Sequence, residues 1–110
     1  MTPQEPQKMT LELRRGAVVL AVLSQLGEEH YGYSLRVRLE ESGLPTPEGT
    51  LYPLLRRLES LELLTSTWRV VEGRPRRYYR ISPAGKQLLE TMETEWQALV
   101  KAVNRLLESK

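Results

Sequence analysis

The residues best equipped for chemistry in this chain are its arginines. Between Arg69 and Lys86 stand Arg69, Arg74, Arg76, Arg77, Arg80 and Lys86, with Glu72 the one acid among them. Tyr78 and Tyr79 sit inside this run. Guanidiniums interleaved with phenols are donors suited to phosphate oxygens. A cationic stretch in a chain whose net charge is only +2 is the footprint of a polyanionic partner. A second set lies upstream in Thr46 to Leu64, TPEGTLYPLLRRLESLELL. There Leu51, Leu54, Leu55, Leu58 and Leu61 share one stripe at helical spacing. The opposite side carries Gly49, Pro53, Arg56 and Ser60, flanked by Thr50, Tyr52 and Arg57. A face left merely to water usually holds Glu, Lys and Gln. Small residues, a phenol and two guanidiniums suit close approach to the major groove of DNA.

Other chemistries are poorly supplied. The chain has no cysteine, which removes disulfide, thiolate and zinc-thiolate readings. It also lacks aspartate and any glycine-rich phosphate loop. His30 is the only histidine, next to Glu28 and Glu29 in a short link, and that is a poor metal set. A serine nucleophile would have only His30 as its base, with nothing to place it. No catalytic residue, metal ligand or cofactor is expected, and an enzyme reading is rejected.

Several elements must position these side chains. Residues 1–9, MTPQEPQKM, hold two prolines and no periodicity and are expected to form a mobile extension. Leu11, Val18, Val19, Val22, Leu23 and Leu26 predict a helix from about Thr10 to Leu26, although AVVLAVL has the β-branched content of a buried strand. A second helix is expected from about Gly32 to Ser42, then a loop at SGLPTP. Thr46 can cap the third helix with Pro47 at its first position. Pro53 leaves two alternatives. Either the helix kinks there, or Thr50 is the cap and Pro53 lies in the first turn. The helix should end near Glu62. Beyond it the period becomes alternating. Thr65 to Val71 reads as a strand, EGRP as a turn, and Arg76 to Ser82 as the returning strand. Tyr78 and Tyr79 fall on opposite faces of that strand, so one should pack inward. Ser82 and Pro83 then start a helix that continues to about Glu108, roughly 39 Å long. Leu89, Met92, Trp96, Leu99, Val103 and Leu106 form a heptad seam on it, widened by Leu88, Val100 and Leu107. A domain this small cannot cover so long a stripe, so a second copy of the chain is implied.

The expected fold is therefore mainly α with a small β-hairpin: a winged helix-turn-helix over 10–82 and a long C-terminal dimerisation helix over 83–110. The apolar run Ala17 to Leu23 is too short to cross a bilayer, and residues 1–9 lack a signal-peptide core. No membrane partner is expected, and a cytoplasmic protein follows.

The segments YGYSLRVRLEESGL, TPEGTLYPLLRRLESLELL and GRPRRYYRISPAGKQLL resemble the PadR-like family of bacterial transcriptional regulators, across roughly residues 11–90. The single C-terminal helix is similar to the compact subfamily. The resemblance implies a homodimer on a palindromic operator, usually as a repressor, with the first helix and N-terminal arm adding to the dimer contact. It implies that Thr46, Glu48, Gly49, Thr50, Tyr52, Pro53, Arg56 and Arg57 meet double-stranded DNA, Gly49 and Thr50 by close backbone approach and the arginines at phosphate or a guanine edge. Arg74, Arg76, Arg77 and Tyr78 would serve phosphate and minor-groove contact by the wing. In some compact members the dimer interface holds a flat pocket where tryptophans stack on planar drugs. Trp96 with Met92 and Leu99 would line such a pocket for a small planar hydrophobic ligand; alternatively Trp96 only fills the dimer core. The rival to operator binding is a winged protein-interaction module.

Overall fold

The computed structural model describes residues 4–110. The element order is α1 (Gln4–Gln25), β1 (His30–Tyr31), α2 (Gly32–Glu41), α3 (Glu48–Ser60), β2 (Leu64–Val71), β3 (Arg74–Ile81) and α4 (Pro83–Glu108). The winged helix-turn-helix order and the long final helix are those expected. AVVLAVL is helical, and Val18, Val22, Leu23 and Leu26 enter the core.

Two helix starts differ. α1 runs back to Gln4, so residues 4–9 are helical where an extension was expected, while residues 1–3 lie outside the described part. Gln, Glu, Lys and Met are good helix formers, and Pro6 sits in the first turn, where a missing N–H leaves no bond unmade. Thr46 is not a cap. Pro47 holds the N-cap position without a side-chain bond, and Thr46 Oγ1 donates to the Leu44 carbonyl at 3.1 Å. Pro53 stands inside α3, and Thr50 and Leu51 both donate their N–H to the Pro47 carbonyl at 2.9 Å. Thr50 is thus a first-turn residue and not the cap.

The sheet has three strands where two were expected, in the order β1-β3-β2 and all antiparallel. His30 and Tyr31, read from sequence as a link, pair with Tyr79 and Tyr78. A strand of two residues carries no alternation long enough to detect. The hairpin turn is Glu72-Gly73, both at positive φ (53° and 76°), as a two-residue type I′ turn requires. It is tighter than EGRP, and β3 begins at Arg74.

Leu35 and Leu39 of α2, Leu51, Leu55 and Leu58 of α3, and Leu64, Tyr79 and Ile81 of the sheet close the core around α1. α3 ends in a Schellman motif. Leu63 N–H donates to the Leu58 carbonyl at 2.9 Å, Glu62 N–H to that of Glu59 at 2.8 Å, and Glu62 takes a φ of 62°. The start of α4 is built onto that end. Ser82 Oγ accepts from Gly85 N–H at 3.0 Å and donates to the Glu62 carbonyl at 2.7 Å. α4 packs along α1, with Leu88, Leu89 and Met92 against the core.

Candidate nucleic-acid interface

α3 turns Leu51, Leu55 and Leu58 inward. Glu48, Gly49, Thr50, Pro53, Arg56, Arg57 and Ser60 are left exposed, which is the outer face expected from spacing. Two of the residues expected at the DNA are placed otherwise. Thr46 is 4% exposed and spends its hydroxyl on Leu44, so its side chain is not presented outward. Tyr52 is half-buried and its ring wedges against α2: a methyl group on Gly32 would stand 2.6 Å from Tyr52 Cε1. Glycine at 32 is what lets α2 and α3 approach each other this closely.

On the hairpin the arginines separate into different environments. Arg74, beside the turn, is exposed. Arg76 is half-buried and lies over the Tyr31 ring at 4.5 Å. Arg77 pairs with Glu59 of α3, its Nε donating to Ser66 Oγ at 3.0 Å while Ser66 Oγ donates to the Glu59 carboxylate. Arg77 is thus a strut between wing and α3. Arg69 pairs with Glu29 and lies over Tyr78 at 4.9 Å. Tyr78 packs edge-on to Tyr31 on the outer face of the sheet, whereas Tyr79 is the tyrosine that turns inward. Burial pushes the Tyr79 hydroxyl above the ordinary tyrosine range; nearby Arg77 and Arg56 oppose this and Glu59 adds to it.

A groove of about 770 Å³ opens beside α3, between it and α1 and α2. Arg14, Arg15, Arg36 and Arg57 line it together with Glu40, Thr50 and Pro53. Four guanidiniums against one carboxylate extend the positive surface of α3 toward α1.

Residues 19–91, from the middle of α1 into α4, match the transcriptional regulator PadR-like family. The chain belongs to this family. It is 41% identical over 93 residues to the transcriptional regulator Rv3488 of Mycobacterium tuberculosis, covering 84% of this chain and 87% of that one. Among solved structures, a PadR family transcriptional regulator from Eggerthella lenta is 47% identical with a TM-score of 0.86, covering 94% of this chain and 93% of its own. A PadR-like regulator from Bacillus cereus is 31% identical with a TM-score of 0.80, covering 90% and 99%. As a PadR-like regulator, the chain is a DNA-binding transcription factor and not a member of an enzyme family. None of its described helices is long and apolar enough to cross a membrane.

The heptad seam of this PadR-like regulator divides in two. Leu89 and Met92 are half-buried by their own domain, while Trp96 (47%), Leu99 (56%), Val103 (49%) and Leu106 (70%) are exposed. Sequence reading missed Glu59, because counting acids only between Arg69 and Lys86 omits one brought in from the preceding helix. It missed the arginines of α1 and α2 for the same reason. Trp68 carries no signal within the strand reading of Thr65 to Val71, yet it is 63% exposed on β2.

Proposed function

We propose that the protein is a homodimeric repressor that binds a palindromic operator. Each α3 enters a major groove, and the wing meets the flanking backbone. The supporting observation is a pairing of surfaces: α3 exposes Gly49, Thr50, Pro53, Arg56 and Arg57 at one end, and α4 exposes an unpartnered apolar seam at the other. Gly49 and Thr50 allow close approach of the α3 backbone. Arg56, Arg57 and Arg74 are the phosphate or base-edge donors, and Glu48 and Pro53 border them. Arg76 and Tyr78 belong to the wing's outer wall. Trp96, Leu99, Val103 and Leu106 pair with the same residues of a second copy, with Met92 and Leu89 at the start of the seam. The exposed Met9, Leu11 and Leu13 of α1 add to that contact. Half-sites then lie about one helical turn, roughly 34 Å, apart.

Trp96, with Met92 and Leu99 beside it, also forms one wall of a pocket for a planar hydrophobic ligand, the second chain supplying the other wall. Binding there releases the operator. The decisive measurement is affinity for genomic fragments against salt. Several neutralised phosphates give a steep loss, with a slope of about −0.9 per phosphate. Weak binding that stays flat with salt on every fragment removes the DNA reading and favours a protein-interaction module. Titration of planar aromatic compounds should quench tryptophan emission in the wild type and much less in Trp96→Ala. Quenching of equal size in both removes the ligand.

A further inference from the structure

We propose that Trp68, with Val70 and Pro75 around it, forms an apolar shelf on the wing that packs on the deoxyribose edge of the DNA backbone between α3 and the wing tip. This rests on the DNA reading above and adds to it a contact that carries no charge. Strand alternation puts Leu64, Ser66, Trp68 and Val70 of β2 and Pro75, Arg77, Tyr79 and Ile81 of β3 on one face, the face that covers the helices. Burial falls along it. Leu64, Tyr79 and Ile81 are buried, Ser66 and Arg77 half-buried, and Trp68 (63%), Val70 (73%) and Pro75 exposed.

Toward the turn this face has run off the helical body, and both sides of the hairpin meet water. Solvent alone would make both sides polar. The outer side is mostly so, with Thr67, Arg69, Arg74 and Arg76, and Val71 is its one aliphatic residue there. The inner side stays apolar at Trp68, Val70 and Pro75, directly across the strand pair from one another in the case of Val70 and Pro75. Contiguous exposed apolar surface of this kind marks a contact site.

The surroundings select the occupant. Arg77, paired with Glu59, holds its guanidinium 5.8 Å from the Trp68 ring, and Arg74 stands exposed at the turn. An apolar shelf bordered by guanidiniums suits a surface that is apolar in the middle and anionic at its rim, as a sugar-phosphate strand is. A second copy of the chain fits less well. Its contact is on α4, which starts at the Ile81 end of β3, and Pro75 lies about 20 Å further along that strand at ~3.3 Å per residue.

The test uses the full-length protein and a mixed-sequence duplex of about three helical turns, long enough for two half-sites. Trp68→Ala removes the contact from both wings of the dimer and should weaken binding on the order of a hundred-fold, about ten-fold for each, and leave the salt slope as in the wild type. Arg74→Ala, which removes one phosphate contact from each of the two wings of the dimer, should instead make the slope shallower by about 1.8, roughly 0.9 per phosphate. Adding duplex should change the tryptophan emission of the wild type, and that change should be clearly smaller in Trp68→Phe, where only Trp96 emits and which loses at most a few-fold in affinity. Circular dichroism melts check that all three variants are folded. Unchanged affinity in Trp68→Ala, a DNA-induced emission change as large in Trp68→Phe as in the wild type, or altered self-association in Trp68→Ala overturns the shelf. Failure of the wild type to bind any duplex at low salt overturns the DNA reading itself, a result distinct from the other three.

Discussion

Glu59, Ser66 and Arg77 show how single side chains set the geometry between the two candidate DNA-contacting elements. Glu59 projects from the last turn of α3 and draws Arg77 and Ser66 from two neighbouring strands onto one carboxylate. The pair is partly open to solvent, with the two side chains 33% and 25% exposed, so screening keeps its stabilising value modest. Glu59→Gln should lower stability by about 1 kcal/mol or less in a denaturant titration. Because it frees the wing from α3, its effect on DNA affinity should exceed what the stability loss explains. Equal binding by Glu59→Gln and wild type would show that the strut has no part in presenting the wing. Tyr79 gives a prediction in pH. Its folded-state pKa lies above the unfolded value of about 10, because burial favours the neutral phenol. As pH rises past 10 the unfolded chain releases this proton first, so the contribution of Tyr79 to stability is level below pH 10 and falls above it. Melting temperature should therefore fall more steeply with pH above 10 in the wild type than in Tyr79→Phe.

At the scale of elements, the junction of α3, the hairpin and α4 carries most of the positional information. The Ser82 hydroxyl bridges the last carbonyls after α3 to the first N–H groups of α4. Gly85 lies so close to Leu63 that an added methyl group would overlap the Leu63 carbonyl oxygen and stand 2.7 Å from the Ile81 side chain. A backbone oxygen cannot give way as a side chain can. Gly85→Ala should therefore cost about 1–3 kcal/mol, read as a lowered melting temperature, or else turn α4 away from the domain. Pro53 is the reverse case. It sits in the sixth position of α3, where an N–H would bond the Gly49 carbonyl. Pro53→Ala should stabilise the fold by on the order of 1 kcal/mol while changing how closely α3 approaches DNA. A melting temperature unchanged or lowered by this substitution would mean that the proline ring packs better than the missing bond costs.

For the whole molecule, the notable property is that α4 leaves its own domain. The chain measures 56 × 34 × 25 Å, elongated by a helix whose distal half holds Leu99, Val103 and Leu106 in water. Burying such side chains is worth about 1.5–3 kcal/mol each, enough to drive pairing of two chains. Sedimentation should give a dimer, and Val103→Glu with Leu106→Glu should shift it to monomer while the winged domain stays folded. A monomeric wild type at micromolar concentration would remove the paired-seam arrangement. Loss of the dimer should also weaken operator binding far more than any single arginine change, because the two half-sites would then be bound independently.

What the sequence determined by itself is what rests on local periodicity and on the chemistry of single residues. The 3.6-residue stripes of α1, α3 and α4, the alternation of the hairpin and the Ser82-Pro83 cap are each set by neighbours a few positions away, and they were legible. So was the outward face of α3, since a helix that buries Leu51, Leu55 and Leu58 must expose Gly49, Pro53 and Arg56. Tertiary structure alone decided what depends on residues far apart in the chain. β1 exists because Tyr78 and Tyr79 offer an edge to two residues with no signal of their own. Arg77 is held by Glu59, and Thr46 and Tyr52 turn inward, because α2, α3 and the sheet converge there. Arg14, Arg15 and Arg36 join Arg57 only once three helices pack. Trp68 is open because the hairpin outruns the helices beneath it, a matter of relative lengths in space that no spacing within a strand can encode.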